Sequence, residues 1–126
     1  MALTYGDIDR YCLSLPGAAL TYPFDFETPV FKVGGKMFAL YGITNDPPQL
    51  NLKCDPDDAE ALRSQYPAIR PGFHMNKKHW NTIVLDGSLS DALVRELIDH
   101  SYALVVASLP RRVREDISPK KSGKAK

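Results

Sequence analysis

The stretch Phe73 to Trp80, FHMNKKHW, gathers two histidines, two lysines, an asparagine and the chain's single tryptophan. Three chemistries compete for it: metal ligation, nucleophilic or acid–base catalysis, and phosphate contact. For a metal, His74 and His79 stand five apart in a turn-rich segment, and His100 lies on a separate helical stretch. Cys54 or Asp55 can approach them only through tertiary structure. With no H-x-x-x-H on a helix and no nearby carboxylate cluster, structural histidines fit better than zinc ligands. For catalysis, the chain has no G-x-S-x-G and no glycine-rich phosphate loop. Asp55, Asp57 and Asp58 are accounted for by helix capping. These residues therefore point to a non-enzymatic protein with no metal and no cofactor.

Phosphate contact has more behind it. Lys77 and Lys78 form one basic point beside His79 and Trp80, and Lys32 and Lys36 flank a Gly34-Gly35 turn. Two basic hairpin tips can straddle phosphates while a histidine or aromatic side chain touches sugar or base. The simpler reading is that lysines at turns are solvated and guard sheet edges, and that Trp80 belongs to the core.

Charge sharpens the choice. The net charge of +1 divides into +5 on residues 110–126, seven cations against two acids, and −4 on the rest. A uniformly basic nucleic-acid-binding body is excluded, so any polyanion must be met by a local patch. The C-terminal arginines Arg111, Arg112 and Arg114 are read as the end of the last helix, where cations complement the dipole. Cys12 and Cys54 have no C-x-x-C spacing and are read as buried free thiols. The start of the chain has neither a basic nor an apolar leader region, and no apolar run is long enough to span a bilayer. The expectation is a cytoplasmic protein without membrane association, and a monomer.

The elements that must position these residues are legible in outline. Thr4-x-x-Asp7 opens a helix carrying Ile8, Tyr11, Cys12 and Leu15, which Pro16-Gly17 ends. Residues 18–29 read as an extended connection with Phe24 and Phe26 anchored. Val30 to Val33, Gly34-Gly35 and Lys36 to Tyr41 form a hairpin with a two-residue primed turn, and Gln49 to Cys54 returns as a third strand. Asp55-Pro56-x-Asp58 starts a second helix that Pro67 ends. Pro71-Gly72 reads as a turn and Asn81 to Leu85 as a strand. Ser88-x-x-Asp91 caps the last helix, with Leu89, Leu93, Leu97, Ser101, Leu104 and Val105 along one face and Pro110 at its end. The order α-βββ-α-β(β)-α predicts an α+β fold, one antiparallel sheet backed by helices. Residues 1–117 read as a single domain and 118–126 as a basic disordered tail.

The motifs YPFDFETPVFKVGGKMFAL, NLKCDP, PGFHMNKKHWNTI and ELIDHSYALV, in this order and spacing, resemble those of the MmcQ/YjbR family across about residues 3–115. The resemblance implies a CyaY-like (frataxin-type) fold and a double-wing DNA-binding surface made by hairpins. The positions it carries over are Lys36, Lys53 and Cys54, and Asn76, Lys77, Lys78, His79 and Trp80; Pro23 and Phe24 match an element whose role is packing. The first helix offers only Asp7 and Asp9, unlike the densely acidic helix with which frataxins bind iron. The combined expectation is DNA binding of low sequence specificity through Lys32, Lys36, Lys53, Asn76, Lys77, Lys78, His79 and Trp80. The alternative is a protein- or small-ligand-binding module with no nucleic-acid role.

Overall fold

A computed structural model of the chain describes residues 3–24, 28–42, 47–72, 76 and 78–117. Ten elements follow one another: α1 (Tyr5–Ser14), β1 (Ala18–Thr21), β2 (Val30–Val33), β3 (Lys36–Tyr41), β4 (Gln49–Lys53), α2 (Pro56–Gln65), β5 (Ile69–Pro71), β6 (Trp80–Val84), α3 (Asp91–Ala107) and α4 (Arg111–Ile117). The strands form one antiparallel sheet in the order β1-β2-β3-β4-β6-β5. The α+β architecture is the one the residue pattern predicts.

Local chemistry explains most boundaries. Thr4 and Asp7 exchange side-chain and backbone bonds in a capping box at the start of α1. Asp55 accepts from the Asp57 N–H, and Pro56 occupies the first turn of α2, where its missing N–H costs nothing. The β2–β3 turn has Gly34 and Gly35 at φ +59° and +85°, the pair of positive values that a type I′ turn requires.

The core lies between the sheet and the helices. Ile8 and Cys12 of α1 and Val94, Ile98 and Val105 of α3 pack on Phe31, Val33, Phe38, Leu50, Leu52 and Ile83. A smaller cluster of Val30, Leu40 and Trp80, with Met37 against it, contains strand residues only. Alternation along β2, β4 and β6 puts this cluster on the opposite face, which carries no helix among the described residues.

Several boundaries differ from expectation. Residues 18–21 are an edge strand, because Ala18 to Thr21 pair with Val30 to Val33. Phe24 is not anchored: its side chain is 63% exposed. Phe26 and the tail 118–126 lie outside the described residues. Ile69 to Pro71 form a short strand at the other edge, where a proline costs the ladder least. Ser90, not Ser88, caps α3, since Ser88 is held by Asp86 in the preceding turn. On α3 the expected Ser101 and Val105 are buried, Leu93 and Leu97 pack half-buried against the core, and Val94 and Ile98 join them as fully buried positions. The Leu93–Leu97 and Val94–Ile98 pairs are both apolar, so helical period alone does not decide which is deeper. Pro110 ends α3 and begins a new helix: its carbonyl accepts from the Arg114 N–H at 3.0 Å.

Candidate nucleic-acid interface

Strand direction fixes where the candidate residues gather. The β2–β3 turn lies at one end of the sheet. Because β4 and β6 pair Lys53 with Trp80, the connection from β5 to β6 emerges at that same end. The sheet thus presents two hairpin turns side by side at one end, with Lys32, Lys36, Lys53 and Lys78 near them.

A break in the β2–β3 register aims the lysines. Phe31 pairs with Ala39 and Lys32 with Met37, leaving Phe38 as an extra residue in β3. That bulge lets Phe38 and Ala39 both face the helices and returns Met37 to the other face. Lys32 and Met37 therefore share the helix-free face, whereas Lys36, opposite Val33, has the helix-side parity and is exposed.

The bulge also interrupts the β3–β4 ladder, which ends at Ala39–Leu52. Ser101 of α3 fills the gap. Its hydroxyl donates to the Phe38 carbonyl at 2.5 Å and accepts from the Lys53 N–H at 2.9 Å. Ser101 is fully buried, so this one hydroxyl satisfies the buried Phe38 carbonyl and the partly buried Lys53 N–H. Leu50 and Leu52 point to the helices, which leaves Lys53 on the helix-free face beside its partner Trp80. Lys32 and Lys53 thus stand on either side of Met37, roughly 10 Å apart at two inter-strand spacings. Both are half-buried. Lys53 is the cross-strand neighbour of Trp80, a position from which a lysine can cover the ring with its stem and keep its ammonium in solvent.

The second turn is built by Asn76. Its side chain accepts from the Lys78 N–H at 2.9 Å, and its carbonyl accepts from the N–H groups of His79 and Trp80. The His79 carbonyl takes the Cys54 N–H at 2.7 Å, and Gly72 N–H donates to the Trp80 carbonyl. A Cβ at Gly72 would lie 2.8 Å from Trp80 Cβ, so only glycine permits this approach. Lys78 is exposed and His79 half-buried, while Lys77 and His74 lie outside the described residues. Trp80 is 7% exposed and packs with Val30 and Leu40. Its ring anchors the turn; no face is open for a base to stack on.

The first turn does not protrude freely. A Cβ on Gly34 would sit 2.5 Å from Leu109 Cδ1 and 3.1 Å from Val113 Cγ1, so α4 rests directly against it. Two further cations that sequence reasoning left out as candidates stand near this arrangement. Arg70 pairs with Thr82, whose hydroxyl donates to Asn51 Oδ1, so its register position is on the helix-free face, and it is exposed. Arg112 stands in the first turn of α4, where no acid balances it and the helix dipole disfavours a cation. The dipole therefore does not explain Arg111 and Arg112; Arg111 instead pairs with Glu115 at 2.9 Å. Acids bound the patch on the helix side, where Asp57 and Asp58 at the start of α2 are exposed.

Neither cysteine is poised for chemistry. Cys12 and Cys54 are buried free thiols. Burial pushes Cys12 up to about 12 and Cys54 up to about 11, with Asp58 and Asp55 adding to the latter. Among the described residues, no group of three or more His, Cys, Asp or Glu side chains could hold a metal ion, and no helix is long and apolar enough to cross a membrane.

The fold and this end of it define a class: a small α+β domain with one antiparallel sheet, helices on one face, and two turns at one end. The YjbR family model matches residues 13–104. The uncharacterized protein YbdF of Escherichia coli O157:H7 is 43% identical over 110 residues, covering 87% of this chain and 90% of that protein. The uncharacterized protein YjbR of Escherichia coli K12 is 37% identical over 113 residues, covering 90% and 96%. The chain belongs to the YjbR family. Among solved structures, Deinococcus radiodurans protein DR2400, described with a DUF419 domain, superposes with a TM-score of 0.85 at 44% identity, covering 90% of this chain and 87% of its own. A Pseudomonas syringae protein gives 0.70 at 27% identity, covering 82% and 99%.

Proposed function

We propose that the protein, as a cytoplasmic monomer, binds duplex DNA without marked sequence preference and without catalysing a reaction. It uses the end of the sheet where the two turns meet. The observation that carries this reading is the pairing of Lys32 and Lys53 at one level of the helix-free face, with exposed Lys78 on the Asn76 turn beside them. Two ammonium groups about 10 Å apart can contact separate phosphates of one backbone. Lys36 and Arg112 extend positive charge around the same end. The acids at the start of α2 repel a polyanion on the helix side and so favour approach from the sheet. Asn76 shapes the turn, and Trp80 holds it to the core.

Fluorescence anisotropy of a short labelled duplex across a salt series tests the reading. Binding should weaken linearly on logarithmic axes, with a slope that counts the phosphates neutralised. No binding at the lowest ionic strength would end the proposal.

One observation favours a second reading, a protein- or ligand-docking role. Tyr22 and Phe24 are 48% and 63% exposed at the exit of β1, the opposite end of the sheet from the lysines. Loss of partner binding on Phe24→Ser, with DNA affinity unchanged, would support that role.

A further inference from the structure

Asn81 poses a problem that the fold does not solve by itself. Its side chain is buried at 1% exposure, and neither Nδ2 nor Oδ1 has a hydrogen-bond partner. It points to the helix side of β6, between residues that face the opposite way: Trp80 in the strand-only cluster and Thr82, bonded to Asn51. A carboxamide is a poor core filler, because a buried donor and acceptor left unmade forfeit the bonds they make to water in the unfolded chain.

Beside Asn81 lies a small cavity of about 10 Å³, walled by Leu52, Cys54, Leu62, Ile83, Leu97 and His100, with Lys53 at its edge. That volume is close to the least that admits one water molecule, and too little for any organic ligand. Water also needs two to four polar partners; the walls are mostly apolar, so these must come from Asn81, Cys54 and His100. The carboxamide offers a donor and an acceptor on one edge, Cys54 a thiol, and His100 an imidazole whose Nε2 takes the Asp55 N–H at 3.4 Å.

We infer that this cavity is a binding site for a single ordered water molecule, held by the Asn81 carboxamide and shared with the Cys54–His100 wall. The water accepts from Nδ2–H and donates to Oδ1, closing a ring on one edge of the amide. Its remaining hydrogen and lone pair serve Cys54 and His100. It thereby ties β6 to α3 and to the Cys54 connection ahead of α2, directly behind the Lys53–Trp80 pair. This makes Asn81 a hydrated strut and not a core defect.

A crystal structure of the full chain at a resolution that shows ordered solvent gives the first test. One water peak within hydrogen-bond distance of both Nδ2 and Oδ1 is expected. An empty cavity, or a carboxamide turned to bond a protein group, overturns the inference. In solution, the Asn81 carboxamide protons should show cross-relaxation to a long-lived water, and Asn81→Leu should abolish the long-lived water signal from this region. Because the wild-type measurement stands alone, a variant that fails to fold does not shield the inference. Absence of the cross-peak in the folded wild type contradicts it.

Discussion

The two faces of the sheet are made by the same six strands but held by different means. The helix side is a continuous apolar layer, with Phe31, Phe38, Leu50 and Leu52 under α1 and α3. The other side carries a small cluster around Trp80, flanked by Lys32 and Lys53 and by an Asn51–Thr82 hydrogen bond at 2.7 Å. Burial fixes the first face, where loss of any contact is felt throughout the core. The second face buries only a small apolar cluster, and the half-buried lysines at its margin hold charge without placing it in the main core.

The largest expected effect comes from Ser101, which bonds α3 to the backbone behind Lys53. Ser101→Ala removes the hydroxyl that satisfies both the Phe38 carbonyl and the Lys53 N–H. Leaving one buried and one partly buried backbone group unmade should cost about 2 kcal/mol in chemical denaturation. A loss under half a unit would mean that β3 and β4 close the gap by themselves. Next, Lys32→Ala combined with Lys53→Ala should leave the denaturation midpoint almost unchanged while flattening the logarithmic salt dependence of DNA binding by about two. Equal loss of stability and binding would erase the division between the faces. Arg112→Glu should act in opposite directions, steadying α4 by about 0.5 kcal/mol through the dipole while weakening DNA binding. Improvement in both would remove α4 from the interface.

The smallest effect concerns the thiols. Both Cys12 and Cys54 are raised above the ordinary thiol range by burial. The folded state therefore favours the protonated form. That contribution is intact below the unfolded thiol pKa and is lost as pH climbs through the folded values. Native protein should react slowly with a thiol reagent at mildly alkaline pH and rapidly once denatured; fast native labelling would show that the core opens.

Much of the fold could be read from residues whose chemistry allows one role. Gly34-Gly35 could only be a primed turn, and Asp55-Pro56 could only start a helix. The edges were harder. Ala18 to Thr21 carries no alternation strong enough to separate a strand from an ordered connection, and its pairing with β2 is a tertiary fact. Pro110 was an unambiguous stop but gave no sign of the helix that follows. At the site, residue type alone picked out Lys32, Lys36 and Lys78. Lys53 came only through the family resemblance. Which face each lysine occupies depended on the extra residue at Phe38, and a bulge leaves no mark in a run such as KMFALY. Arg70 was missed for the same reason: facing Thr82 across the edge is a matter of register. The unpartnered carboxamide of Asn81 could be seen only once the strand was placed.

The central claim is that one end of one face binds the polyanion, and amide NMR during titration with a short duplex tests it most directly. The account predicts that the largest shifts fall on Lys32, Lys53 and the Asn76–Trp80 turn, while Tyr22, Phe24 and the outer surface of α1 stay still. Shifts concentrated around Tyr22 and Phe24, or spread evenly over the helices, would contradict it.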